Sequence, residues 1–202
     1  MEFRGLRDDV YRRPLATALE RLGIGPGWTC ADIGAGGGDV SVALAEIVGR
    51  DGRVYAVDSD PMARDEVAEA ASAHSQVLAI TQSGEDLRLP EPVDLAFCRF
   101  LLLHVVDPGV VLARMAGAVR PGGWVVAQEP ITSAGRINGE PFSMPSARHP
   151  DIGALLPSLA RRAGRRTPFG PTPRPGSPRG GGENGRRPGL RVRGVGGPRR
   201  TG

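Results

Sequence analysis

The chain has 202 residues, 40% of them apolar, and its 26 basic residues against 22 acidic ones give a net charge of +4. That length suits one domain of ordinary size with a packed core and some chain left over. No apolar run reaches the roughly 18 residues of a transmembrane helix, and the charged stretch Met1–Asp9 does not read as a secretory signal.

Leu6, Val10, Leu15, Leu19 and Leu22 recur at helical spacing, which predicts a helix over 6–22 with Pro14 opening its second half. Gly23, Gly25, Pro26 and Gly27 stop it. Strands are then expected at Trp28–Ile33, Arg53–Val57, Val77–Ile80, Val93–Cys98 and Trp124–Gln128. Helices are expected between them at Val40–Val48, Met62–Ala73 and Val110–Val119, with turns at Asp51-Gly52, Pro90 with Pro92, and Pro121-Gly122-Gly123. Strands alternating with helices imply right-handed crossovers and a parallel sheet covered on both faces, so the fold class is α/β, doubly wound and Rossmann-like. A further helix is expected over Asp151–Arg162, with Leu155, Leu156 and Leu159 on one side and Pro157 weakening it. Cys30 and Cys98 sit in apolar runs and read as small core residues rather than a disulfide framework. His74, His104 and His149 are scattered, without metal-ligand spacing. These features together point to the cytoplasm.

The chemistry concentrates in Asp32-Ile-Gly-Ala-Gly-Gly-Gly-Asp39, which follows a strand and opens a helix. Glycines there permit a tight turn and let a ligand approach the backbone, and the helix beyond presents free amides. A dinucleotide fingerprint of the form G-x-G-x-x-G would place its third glycine at position 39, where Asp39 stands. The pattern is instead D-x-G-x-G-x-G through Asp32, Gly34, Gly36 and Gly38. An acid before the first glycine suits a cofactor carrying a positive ammonium and sulfonium, and repels a pyrophosphate. A glycine-rich turn also serves packing alone. The second feature narrows the choice: the strand Arg53–Val57 ends in Asp58, where a carboxylate accepts hydrogen bonds from a ribose diol. Asp60, two residues on, reads as the N-cap of the helix that starts at Pro61.

The segment from about Gly27 to Pro130 resembles a class I S-adenosylmethionine-dependent methyltransferase, in the style of the bacterial ubiquinone/menaquinone-methylase-like enzymes that act on small molecules. The matching stretches are "TCADIGAGGGDVSVALAEIVGRDGRVYAVDSDP", "SGEDLRLPEPVDLAFCRFLLLHVVDP" and "LARMAGAVRPGGWVVAQEP", in the family's order and over about half the chain. The resemblance implies S-adenosylmethionine as cofactor, with Asp32, Gly34, Ala35, Gly36 and Gly38 holding its methionine part and Asp58 and Ser59 at its ribose. Ser83-Gly84-Glu85-Asp86 would border the adenine. The family's usual Asp aligns with Ser83, so Glu85 or Asp86 stands in for it. The backbone at Cys98 and Arg99 would line the sulfur side. His104 reads either as a general base that removes an acceptor proton or as a residue that orders its loop. Tyr11, with Arg12 and Arg13 in the N-terminal helix, either touches the methionine carboxylate or packs on the surface, and Trp124 reads as core packing. Glu129 either faces the substrate or is solvated.

The implied reaction is methyl transfer to an oxygen, nitrogen or carbon of a small organic acceptor. An amino-methyltransferase acting on nucleic acid usually has an Asn/Asp-Pro-Pro-Tyr-like element after the fourth strand, where this chain has Phe97-Cys98-Arg99-Phe100, and neither cysteine follows a proline as a cytosine-C5 nucleophile would. Charge divides the chain sharply: 14 arginines against 21 acids up to residue 160, then 12 against one beyond it. From Arg165 to Gly202 the chain holds 11 glycines and 7 prolines, and reads as a basic, disordered tail following a domain that spans 1–165. Its Arg-Gly composition faintly resembles RNA-binding segments but lacks stacking aromatics. The family's sheet normally ends in an antiparallel strand pair, which this tail is not expected to supply. The abrupt change in composition suits a natural tail or a stretch translated in a shifted frame. Either way the strand Trp124–Gln128 is expected to keep an unpaired edge, inviting self-association and impairing catalysis.

Overall fold

The computed structural model describes residues 15–137, 140–141, 144–163 and 189–195. A first helix, α1, covers residues 15–22. The chain then alternates through β1 (Thr29–Ile33), α2 (Asp39–Val48), β2 (Arg53–Asp58), α3 (Pro61–Ala70), β3 (Val77–Thr81), β4 (Val93–Arg99), α4 (Pro108–Ala118) and β5 (Val119–Pro130). A small antiparallel pair, β6 (Arg136–Ile137) and β7 (Glu140–Pro141), precedes α5 (Ile152–Arg162) and β8 (Gly189–Val195). The main sheet has six strands in the order β3-β2-β1-β4-β5-β8, every neighbouring pair parallel. This is the doubly wound α/β fold expected from the alternation of elements.

Local chemistry explains where the helices start. The Asp60 carboxylate accepts from the Met62 amide at 2.9 Å, with Pro61 behind it, and Asp107 accepts from Gly109 and Val110 with Pro108 behind it. Side chains alternate across the sheet. Cys30, Val54, Leu95, Phe97 and Val126 pack one face under α1 and α2, against Leu15, Leu19, Leu44 and Val48. Ala31, Ile33, Val57, Ala96, Cys98 and Ala127 pack the other under α4 and α5, against Leu112, Met115, Ile152 and Leu156. Both cysteines are free and buried, as core residues should be. At the amino ends of the strands, buried Asp94 accepts from the Thr29 amide at 2.9 Å and pairs with Arg120, tying β1, β4 and β5 together. No helix among the described residues is long and apolar enough to cross a membrane.

Three expectations change. The Pro121-Gly122-Gly123 turn lies inside a longer β5: Gly122 takes a φ of 85°, and the pairing with β4 is irregular between Val93 and Leu95. In α5 the side expected to be apolar is split, because Leu156 is buried and Leu155 is 54% exposed; Ile152, Gly153 and Ala160 complete the packed face. The third change is the largest. The edge of β5 is not unpaired, because Gly189–Val195, within the expected tail, forms a strand: β8 runs parallel to β5 from Trp124↔Gly189 to Pro130↔Val195. An edge strand needs only extended backbone to complete the hydrogen-bond ladder, which Arg/Gly-rich chain can supply. The sheet therefore draws on chain beyond residue 165, and β8 is parallel where the family pair would be antiparallel. The rest of the expected tail, and Tyr11, Arg12 and Arg13, lie outside the described residues.

Truncation after residue 163 tests the importance of β8. Losing its ladder is expected to cost on the order of 2–4 kcal/mol. It should also expose the β5 edge to pairing with another chain. Thermal melts should show the loss, and light scattering should show concentration-dependent association that the full chain lacks.

Candidate cofactor-binding site

The strand order reverses between β1 and β4: chain from β1 leads outward to β2 and β3, and chain from β4 leads the other way to β5. The two strands therefore send their following loops to opposite faces, leaving a crevice at their carboxyl ends. The residues expected to bind a cofactor gather there.

The β1–α2 turn uses left-handed backbone at Gly34 (φ 78°), Gly36 (φ 50°) and Gly38 (φ 82°), which glycine adopts without steric cost. The Gly34 and Ala35 amides donate to the Val57 carbonyl at 2.7 and 3.0 Å, pinning the turn to β2. Gly34 also permits close approach, since a Cβ there would lie 2.9 Å from Leu101 Cδ1. Above Gly36 nothing lies within 4 Å of a Cβ position, so a ligand can reach this backbone. Asp58, at the end of β2, accepts from the Gly36 amide at 2.8 Å and, through its other oxygen, from the Asp60 amide at 3.0 Å. It thus holds the glycine turn while keeping lone pairs for a hydroxyl. Ser59 beside it is exposed.

Asp32 is 1% exposed and accepts from the buried Ser41 hydroxyl at 2.6 Å. Burial pushes its carboxyl up to about 7; the Ser41 hydrogen bond opposes this, Asp39 and Asp58 add to it, and Arg99 opposes it. Asp39, at the start of α2, forms an ion pair with Arg99 from the end of β4. The Arg99 guanidinium also lies 5.9 Å from the Phe100 ring centre. Three carboxylates and one guanidinium therefore surround the glycine turn, a net negative cradle suited to a cation. Asp39 was not singled out from sequence, although it closes the motif that was; its pairing with Arg99 depends on β4 lying beside β1.

The remaining expected residues are placed as follows. Gly84–Asp86 form a short 3-10 turn after β3, capped by Ser83, with Gly84 buried against Val111 and Ile33. Glu85 accepts from the Ser83 hydroxyl at 2.6 Å and the Val106 amide at 3.1 Å; the Ser83 hydrogen bond leads in holding its carboxyl below the usual range. Asp86 is exposed. The Cys98 side chain is fully buried in the core, and burial raises its thiol, so only its backbone borders the crevice. His104 is exposed on the turn after β4, its amide donating to the Leu101 carbonyl at 2.9 Å. Glu129 is neither solvated nor open to a substrate: it is 0% exposed and accepts from the Leu101 and Leu102 amides at 2.9 and 2.8 Å. Burial pushes its carboxyl up to about 7 against those amides.

Residues 31–127 match a family described as a methyltransferase domain. That match covers a little under half of the chain and bears out the resemblance to the class I S-adenosylmethionine-dependent methyltransferases. A demethylmenaquinone methyltransferase of Bacillus licheniformis is 30% identical over 112 residues, which are 55% of this chain and 48% of that protein. A ubiquinone biosynthesis O-methyltransferase of Xanthomonas campestris pv. campestris is 35% identical over 105 residues, 48% of this chain and 41% of that one. The chain thus spans less than half the length of these curated relatives. In fold, the chain resembles a SAM-dependent methyltransferase from Aquifex aeolicus, with a TM-score of 0.62, 20% identity and coverage of 75% of this chain and 79% of that one. The residues present suit S-adenosylmethionine in charge: its cationic end would match the carboxylates, and nothing lies within 4 Å of a Cβ position at Gly36.

The raised Asp32 carboxyl makes stability depend on pH. Its folded value lies above its unfolded one, so its stabilising contribution is complete below about pH 4 and lost as pH rises through about 7. Asp32→Asn removes a loss on the order of 4 kcal/mol. Melting temperatures followed from pH 4 to pH 8 should fall several degrees less in this variant than in the wild type.

Proposed function

We propose that this protein transfers the methyl group of S-adenosylmethionine to an oxygen, nitrogen or carbon of a small organic acceptor. The observation that carries the reading is the glycine turn ringed by Asp32, Asp39 and Asp58 at the point where the strand order reverses. Bound there, the cofactor supplies an electrophilic methyl group. The chain's part is to bind and to aim. Gly36 leaves backbone open beside the methionine part, and Gly34, Ala35 and Gly38 shape the turn that presents it. Asp58, already fixed by two amides, accepts from the ribose hydroxyls, with Ser59 at its side. Ser83, Gly84 and Glu85 border the adenine, and the Glu85 carboxylate anchors the loop at Val106 that follows His104. The backbone at Cys98 and Arg99 walls the sulfur side, where the Arg99–Asp39 pair spans from β4 to α2. In-line positioning supplies much of the acceleration in such a transfer. The acceptor enters from the exposed side of the β4–α4 loop, where His104 stands. The relatives' names support a small biosynthetic acceptor.

Calorimetry with S-adenosylmethionine, and with NAD as control, tests the class. Tight binding of NAD without S-adenosylmethionine would overturn it. Asp58→Ala is expected to weaken S-adenosylmethionine and its demethylated product by about 1–3 kcal/mol, through lost charge-assisted hydrogen bonds. Unchanged affinity would remove Asp58 from the site.

The role of His104 is separable once an acceptor has been found by screening. As a general base, its replacement in His104→Ala should lower kcat by about 10²-fold with cofactor affinity intact. A small loss of kcat accompanied by a lower Tm would assign it to ordering the loop instead.

A further inference from the structure

Glu129 ends the central run of β5 in full burial. Its Oε1 accepts from the Leu101 and Leu102 amides, and its Oε2 has no hydrogen-bond partner among the described residues. A buried carboxylate is costly to keep, so the contacts it makes are informative. Those amides follow Phe100, whose φ of 55° is a left-handed conformation that a bulky residue keeps only when its surroundings hold it. β5 holds this corner twice, because the Phe100 amide also donates to the Gln128 carbonyl at 3.1 Å. From the corner, the Leu101 side chain lies against Gly34 of the cofactor turn, and the Leu101 carbonyl accepts from the His104 amide. One carboxylate thus sets the turn that both backs the glycine loop and carries His104.

We propose that Glu129 is a positioning residue: by gathering the amides of the turn after β4, it holds Leu101 against Gly34 and fixes the wall that faces the cofactor and acceptor. This rests on the reading that the glycine turn binds S-adenosylmethionine. The test uses the whole chain as wild type, Glu129→Gln and Glu129→Leu at pH 8, with amide hydrogen exchange and calorimetry against S-adenosylmethionine. Glu129→Gln keeps an acceptor oxygen of the same shape without the charge, and is the variant least able to disturb the fold. It should speed exchange at residues 101–103 by about 10-fold and raise Kd by about 3–10-fold; Glu129→Leu should do more in both. Amides of β1 and β2 should stay within about twofold in Glu129→Gln. Unchanged exchange at 101–103, acceleration spread evenly through the sheet, or a loosened turn with unchanged Kd would each overturn the proposal. A wild-type chain that binds no S-adenosylmethionine would overturn the functional reading separately, and the exchange pattern would still decide whether Glu129 sets the turn.

Discussion

The pairing of β1 with β2 on one side and β4 on the other is the constraint on which the site depends. β1 is flanked by strands at both edges and covered by helices on both faces, and Cys30, Ala31 and Ile33 supply the apolar side chains this requires. The next strand residue of consequence is a carboxylate, Asp32, buried at the end where the neighbouring loops part. What could touch a ligand then follows from which strand ends lie next to it, Asp58 from β2 and Arg99 from β4, with Glu129 of β5 buried behind the turn that follows β4.

The site is built at an electrostatic cost. Asp32 and Glu129 are both buried carboxyls pushed up to about 7. A protein selected for stability alone would fill those positions with apolar side chains. Here the same carboxylates leave a negative cradle that a bound cation can complete, and an internal acceptor that shapes a turn. The Arg99–Asp39 pair moderates the crowding of like charge, holding a guanidinium near-buried among three acids. On the proposed reading, binding and stability are coupled through the same few groups, and a cationic ligand would relieve part of the cost of the clustered acids.

The last strand shows how tertiary context can recruit unpromising sequence. Read alone, Gly189–Val195 has glycines and arginines in place of a strong β pattern. Beside β5 it has a seven-residue register waiting for it. β-propensity depends on the neighbour more than on the residue, which is why the composition suggested a bare edge and the structure supplies a partner. The same reasoning covers Leu155, whose side of α5 is set by what lies beneath that helix.

The sequence by itself determined the order of strands and helices up to Pro130, the Asp60 cap, the glycine turn and the acid at the end of β2. Each of these depends on local chemistry: periodicity, φ preference, or the short reach of a capping side chain. The tertiary structure alone decided that Asp39 meets Arg99, that Glu129 serves the backbone of Leu101 and Leu102 rather than water, and that β5 has a neighbour on its outer side. Those contacts join residues 27 or more positions apart, and a distance of that kind exists only once the sheet has brought the strand ends together.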